Sequence, residues 1–504
     1  MSRDSQLSPG SRPSHGPDVA AAHKPVWRPH RPDGDISPVP VIILVADGAR
    51  PDTLAAAMDA GALPALARLR AEGGAHVVTS TFPSVTGPAY APFLLGRYPG
   101  PIGLPALRWY DRARTDTSFP HYTRSYVGHE MRHVDGDLDP DAPTIFELAK
   151  PAIGALSVIG RGLPASARMG TGIGFALRAA RTHFTGNVRG WLAIDRQMGR
   201  DVARRVREER PRFVFAALTG VDKTSHAEGH DDGLVRDAMR IVDQVAAELR
   251  ADAEHGAWWE ETHLWIVSDH GHSPVKSHDD LAAGVEALGH RVIAHPLIFR
   301  RRPDVAVMVS GNAMAHLYVE LGQRKRPWWP ALADRWNGLA AAMVARESVD
   351  LVLLPHGPLR CEVRSRNRGN AFVEHEAGLY RYLPDSGDPL GIGELRDMNA
   401  DAAYEATIDS DYPDAVVQIA HLAGAARSGE IILSAARDWD FRARFEPIPH
   451  FSSHGALHRE HMLVPLVTNR PVMRRPRRTV DVMPSALAAL GLPIPSGLDG
   501  QPFF

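Results

Sequence analysis

Six acidic and imidazole side chains stand in contexts that suit metal chemistry: Asp47 in ILVADGARPD, Asp222 and His226 in LTGVDKTSHAEGH, Asp269 and His270 in WIVSDHGHS, and His454 in HFSSHGALHREHM. Hard carboxylate oxygens combined with neutral imidazoles suit zinc, or another borderline divalent ion, in an open catalytic site, and six ligands are enough for two ions. Asp222 and His226 point the same way if their segment makes a helical turn. Adjacent Asp269 and His270 instead need the irregular backbone found just beyond a strand. Thr86, in TSTFPSVTGPAYAPFLLG, supplies a nucleophile candidate. A threonine hydroxyl is barely nucleophilic at neutral pH, but a coordinated metal would stabilise its alkoxide, and the positive end of a helix starting near Thr86 would favour a phosphate beside it. Metal activation also makes a Ser/His/Asp relay unnecessary.

The elements that must position these residues follow from the apolar pattern. PVPVIILVAD reads as a buried parallel strand ending on Asp47, followed by a helical region to about Glu72 with Pro51 in a first-turn position. The same alternation recurs in AHVVTS before a helix from about Thr86, in RFVFAALTG after a long helix from about Val188, and in HLWIVSD after a helix from about Leu234. Strand then helix, repeatedly, predicts an α/β fold: a mostly parallel sheet with helices on both faces and ligands gathered at the carboxyl ends of the strands. Two stretches interrupt it. Residues 100–190 contain a short strand candidate, ALSVIG, and the apolar segment TGIGFALRAA, read as a lid or a packed accessory helix. Residues 300–400 are β-rich and read as a smaller inserted subdomain. Residues 1–38, rich in Pro, Ser, His and Arg, read as a disordered tail, leaving 39–504 as the catalytic domain.

Composition removes several classes. With 57 basic and 59 acidic side chains the net charge is -2, so no global field gathers nucleic acid or anionic membrane, and no stable nucleic-acid complex is expected. The single cysteine, Cys361, excludes an intramolecular disulfide and any zinc site built from several thiolates. No window reaches the 18 or so apolar residues of a membrane span, and residues 1–38 lack the apolar core of a secretory signal, so the expected location is cytoplasmic.

These segments, in this order, resemble the alkaline phosphatase superfamily, most closely its type I phosphodiesterase and nucleotide pyrophosphatase branch. The likeness spans roughly residues 40 to 500. It rests on an opening strand ending in Asp-Gly, the Phe-Pro-x-x-Thr loop at Thr86, the Asp-x-x-x-His pair, the Ser-Asp-His-Gly strand end, the late His-Gly at His454 and the closing VDVMPSALAALGLPIPSGLDGQPF. The resemblance implies that Asp47, Thr86, Asp269 and His270 hold one zinc, and that Asp222, His226 and His454 hold the other. It implies a hydrolase of phosphodiester or pyrophosphate bonds in which Thr86 attacks phosphorus and water then releases the phospho-threonine. A sulfatase is disfavoured, because neither Cys361 nor the Thr86 loop offers a Cys/Ser-x-Pro-x-Arg context.

One departure bears on the substrate. Where the phosphodiesterase branch has an Asn that helps bind a non-bridging phosphate oxygen, this chain has Leu107, with Arg108 beside it. Arg108 reads either as a structural ion pair or as a bidentate phosphate contact, the latter favouring monoesters. A phosphomonoesterase, a phosphotransferase or a non-catalytic zinc-binding scaffold are the alternatives. The expected ligand is a phosphate-ester small molecule, nucleotide or lipid-like, with Trp109 and Tyr110 as candidates to stack on a base. His272, His278, His450, His458 and His461 read as core or surface histidines, since nearness to a motif does not make a ligand.

Overall fold

The computed structural model describes residues 40–114, 123–441 and 449–504. The tail expected at residues 1–38 lies outside the described residues.

The strand expected at the start runs over Val41–Ala46, and every residue in it is buried. Its period of two divides it cleanly. Val41, Ile43 and Val45 face a core built with Tyr90, Phe93, Phe215 and Trp265, whereas Ile42, Leu44 and Ala46 face a second core built with Leu54, Leu66, Val202 and Val242. Phe213–Leu218 and His263–Val267 alternate in the same way and pair in parallel with the first strand on either side. A sheet with both faces covered needs continuous apolar strands, which is why these three lack polar alternation. Each fully buried Val, Leu, Ile or Phe contributes roughly 1.5–3 kcal/mol.

The complete sheet has seven strands in the order Gly74–Thr79, Leu463–Thr468, His263–Val267, Val41–Ala46, Phe213–Leu218, Ala152–Ala155 and Arg168–Met169. All neighbours are parallel except at Leu463–Thr468, which is antiparallel to both strands beside it. The long helices Val188–Glu209 and Gly233–His255 cover one face, the second capped by Asp232, whose carboxylate accepts the Leu234 N–H at 2.7 Å.

The β-rich insertion is a separate sheet of nine strands, running from Val292–Ala294 to Leu395–Met398 and also including Ile431–Ala435. It has more strands than the first sheet and extends beyond the 300–400 stretch. Helix Ala333–Val344 packs on one of its faces and helix Ala415–Ala423 on the other. The turn between its strands Val305–Ser310 and Met314–Tyr318 meets the His454 segment, where the Ala313 N–H donates to the His454 carbonyl at 3.0 Å.

Several expectations are corrected. The strand expected in ALSVIG lies earlier, at Ala152–Ala155, because Leu156 takes a φ of +52° and ends it. The helix expected from Thr86 is only a 3-10 turn, Pro88–Tyr90, followed by Ala91–Leu95. Two turns with a proline at the start offer little dipole, so the helix-terminus argument for phosphate falls away. TGIGFALRAA does form a helix, Ile173–Phe184, but Ile173, Leu177 and Phe184 on it are exposed rather than packed. Among the described residues no helix is long and apolar enough to cross a membrane.

Candidate active site

The parallel register brings the carboxyl ends of three strands level, with Ala46 opposite Leu218 and Val45 opposite Val267. The residues just past those ends are Asp47, the Asp222 helix and Asp269–His270. Helix Gly220–Glu228 starts where the Asp195 carboxylate accepts the N–H groups of Thr219 at 3.1 Å and Gly220 at 2.6 Å. A Cβ on Gly220 would stand 2.7 Å from that carboxylate, so a larger residue there would have to displace it. The helix puts Asp222 and His226 one turn apart on one side, as their spacing predicts, and His226 Nε2 lies 3.2 Å from Asp222 Oδ1. Beyond its strand, the irregular Ser268–Gly271 backbone is held by the Ser268 hydroxyl donating to the His270 carbonyl at 2.8 Å, and by the Ser80 hydroxyl donating to the Asp269 carbonyl.

Seven sequence-predicted residues come together in two adjoining groups. In the first, the Thr86 hydroxyl lies 3.2 Å from Asp47 Oδ1 and 3.0 Å from His270 Nε2. His270 Nε2 also lies 3.3 Å from Asp47 and 3.5 Å from Asp269. In the second, His226 and His454 point their Nε2 atoms at Asp222 Oδ1, His454 at 3.4 Å. The His270 and His454 rings stack at 3.5 Å, joining the groups. Six of the seven are buried; Thr86 is half-buried and is the member that a reactant can reach.

The donor set fits divalent cations. His226 Nδ1 lies 2.8 Å from the Ser452 carbonyl and His454 Nδ1 lies 2.9 Å from the Ser84 carbonyl. A carbonyl only accepts, so Nδ1 carries the proton and a neutral ring presents a bare Nε2 to another acceptor, the Asp222 oxygen. Lone pairs facing each other in a buried site need a cation between them. Asp269 Oδ2 is likewise buried without a hydrogen-bond partner. Electrostatics agree: burial, reinforced by the Asp47 charge, pushes the Asp269 carboxyl well above its ordinary range. Burial would lower His270, but Asp269 and Asp47 outweigh it and raise it to about 9, and a cation in the same place would replace that proton. Burial opposes ionisation of Asp222, yet Lys223, His226 and His272 hold it well below the usual carboxylate range.

Three neighbours escaped the sequence reading. The Tyr90 hydroxyl donates to Asp47 Oδ2 at 3.2 Å, and the Lys223 ammonium lies 2.7 Å from Asp222 Oδ2. His272, read as a core histidine, is buried but lies inside the cluster, with Nε2 3.0 Å from Asp222 Oδ1. The one signal for these was local: Tyr90 is four residues after Thr86, Lys223 adjoins Asp222, and His272 is two residues after His270. The other histidines set aside stay outside the two ligand groups found among the described residues. His278 and His450 flank the buried Asp440, and His461 meets the Ser273 hydroxyl.

Arg108 has no contact with Thr86 among the hydrogen bonds and ion pairs described above, and its backbone N–H donates to the Ser310 hydroxyl at 3.1 Å. It lines a cavity with His295, Leu281, Val307 and Phe441, to which none of the seven cluster residues contributes. Trp109 and Tyr110 are not base-stacking platforms: both are buried, their polar atoms donating to Tyr126 Oη at 3.1 Å and to the Leu321 carbonyl at 3.0 Å.

The family described as type I phosphodiesterase / nucleotide pyrophosphatase matches residues 41–327 of the chain. Among solved structures, phosphonoacetate hydrolase from Sinorhizobium meliloti 1021 in complex with phosphonoformate is similar, with a TM-score of 0.53 and 18% identity over 90% of this chain and 96% of that one. Human ectonucleotide pyrophosphatase / phosphodiesterase 5 gives a TM-score of 0.54 and 12% identity over 92% of this chain and 97% of its own. A comparison of the sequence with curated proteins finds no match.

Proposed function

We propose, for a chain that belongs to the type I phosphodiesterase / nucleotide pyrophosphatase family of the alkaline phosphatase superfamily, a phosphodiester or pyrophosphate hydrolase working through a phospho-threonine on Thr86. The chain is an enzyme of the phosphoric ester hydrolase class. The observation that carries the finer reading is the Thr86 hydroxyl: it is the accessible member of a buried ligand cluster, 3.0 Å from His270 and 3.2 Å from Asp47.

Asp47, Thr86, Asp269 and His270 would hold one divalent cation, and Asp222, His226 and His454 the other. Such cations, most fittingly zinc for this mix of carboxylate and imidazole, supply the charge that makes the Thr86 hydroxyl acidic and stabilises a departing oxygen. Thr86 Oγ1 forms a bond to phosphorus as the bond to the leaving oxygen breaks. Water then adds to phosphorus and the bond to Thr86 breaks, restoring the hydroxyl. Asp47 keeps Thr86 aimed, and Tyr90 fixes the Asp47 carboxylate from its far side. The substrate is a phosphate-ester small molecule, nucleotide or lipid-like, and the proposed location is cytoplasmic, testable by cell fractionation.

The test compares the zinc-loaded protein on a nitrophenyl nucleotide diester, on nitrophenyl phosphate and on phosphonoacetate. The proposal expects the diester to turn over fastest. Preference for the monoester would move the enzyme to the phosphomonoesterase alternative, and release of phosphate from phosphonoacetate alone would replace both. Product appearing on an added alcohol rather than water would make it a phosphotransferase.

A further inference from the structure

Three imidazole nitrogens converge on a single carboxylate oxygen, and the nearest belongs to a residue outside the expected ligand set. His272 Nε2 lies 3.0 Å from Asp222 Oδ1, against 3.2 Å for His226 and 3.4 Å for His454. Lys223 takes the other oxygen of Asp222, so all three rings share one atom. Two of these rings present a bare Nε2 to it, so at least two imidazole lone pairs and the carboxylate oxygen converge on one point, with His272 the nearest ring to that oxygen.

The surroundings of His272 are built to hold its ring in this place. Ser452 orients two of the imidazoles at once: its carbonyl takes His226 Nδ1 at 2.8 Å and its hydroxyl meets His272 Nδ1 at 3.0 Å. The guanidinium of Arg50 donates to the His272 carbonyl at 2.8 Å and fixes the backbone. Gly48 clears the remaining side. A Cβ there would stand 2.8 Å from His272 Nε2, and its φ of +81° is one that glycine adopts freely. The ligand atoms of Asp222, His270, His272 and His454 all lie within 4.8 Å of one another.

Resting on the two-cation reading above, we infer that His272 is a fourth protein ligand of the cation held by Asp222, His226 and His454. A ring that keeps its Nδ1 on the Ser452 hydroxyl has its Nε2 turned to the same point as those of His226 and His454, and a neutral imidazole is the form that binds a metal. The consequence is an asymmetric centre. Sites with three protein ligands keep a place open for water or substrate, whereas four close the tetrahedron. With four protein ligands the Asp222 half would offer a reactant less room than the Thr86 half, which would carry more of the exchange with reactants.

The test uses the full chain loaded with two equivalents of Co2+ and counts the hyperfine-shifted, exchangeable imidazole N–H protons in its NMR spectrum. The inference expects four, from His226, His270, His272 and His454, falling to three in His272→Gln. Chelator competition should show one Zn2+ bound about 10–100-fold more weakly in that variant. Three signals in the parent protein would overturn the inference and leave the two-cation reading standing, with His272 reduced to a hydrogen-bond partner of Asp222. Protein that takes up no Co2+ would remove the two-cation reading and the inference with it. Should His272→Gln fail to fold, the count in the parent protein decides alone.

Discussion

The two halves of the centre are made of different chemistry. The Thr86 half has two carboxylates, Asp47 and Asp269, for one imidazole, and its threonine is half-buried. The Asp222 half has one carboxylate surrounded by imidazoles, with Lys223 against it, and is buried. A divalent cation is formally neutralised by the first set but leaves the second positive. The positive half is the better partner for an oxygen that departs with negative charge, and the neutral half tolerates a threonine that loses its proton without trapping the alkoxide. Under the proposed mechanism, this difference would place attack on one side and departure on the other.

The largest expected effect comes from removing the nucleophile. Thr86→Ala should lower turnover by about 10³-fold or more, because it removes the attacking oxygen, while elemental analysis still finds the cations bound. Asp222→Asn should strip the other half: it removes the charge that Lys223 and the imidazoles share, and bound zinc should fall by about one per chain, with turnover down roughly 10²-fold. Comparable zinc loss from both halves would break the asymmetry. A smaller loss is expected for Tyr90→Phe, which frees one oxygen of Asp47 and should weaken zinc binding in the Thr86 half by about 10-fold at most.

A pH experiment sharpens the comparison from beneath the Asp222 helix. Burial raises Asp195 to about 7 in the folded protein, while the unfolded chain titrates near an ordinary aspartate, about 3.9. The folded state therefore binds this proton more tightly. Its contribution to stability is fully present below about pH 4 and is lost as pH rises through about 7. Asp195→Asn cannot titrate, so urea unfolding should show a smaller decline between those values than in the parent protein. The smallest effect is expected from Arg108. Its side chain lines the cavity with His295, so Arg108→Ala should change monoester and diester turnover alike, by less than about threefold. A selective 10–100-fold loss on the monoester would put the guanidinium on the phosphate instead.

Much of this was legible in the chain because the fold and site obey local rules. VIILVA, FVFAAL and HLWIV are apolar enough to be central strands and little else, and an Asp or His just beyond such a strand lands at the sheet's functional edge. Partners distant in sequence decide what was missed. His272 points into the cluster because Ser452, 180 residues away, and Arg50 hold it there, and nothing in SDHGHS records either contact. Trp109 and Tyr110 invited a base-stacking role by type, yet Leu321, 211 residues from Tyr110, gives that ring a buried hydrogen bond. The short helix after Thr86 and the early end of the Ala152–Ala155 strand turn on backbone angles at Gly87 and Leu156 that apolar periodicity does not encode.

The central claim, attack by Thr86 followed by release with water, is tested most directly by the stereochemical course at phosphorus. A diester made chiral at phosphorus with oxygen isotopes or sulfur is hydrolysed by the zinc-loaded protein, and the configuration of the product is read by phosphorus NMR. Each in-line displacement inverts the centre, so two in succession predict net retention. Net inversion would mean that water attacks phosphorus directly, and would contradict the phospho-threonine account.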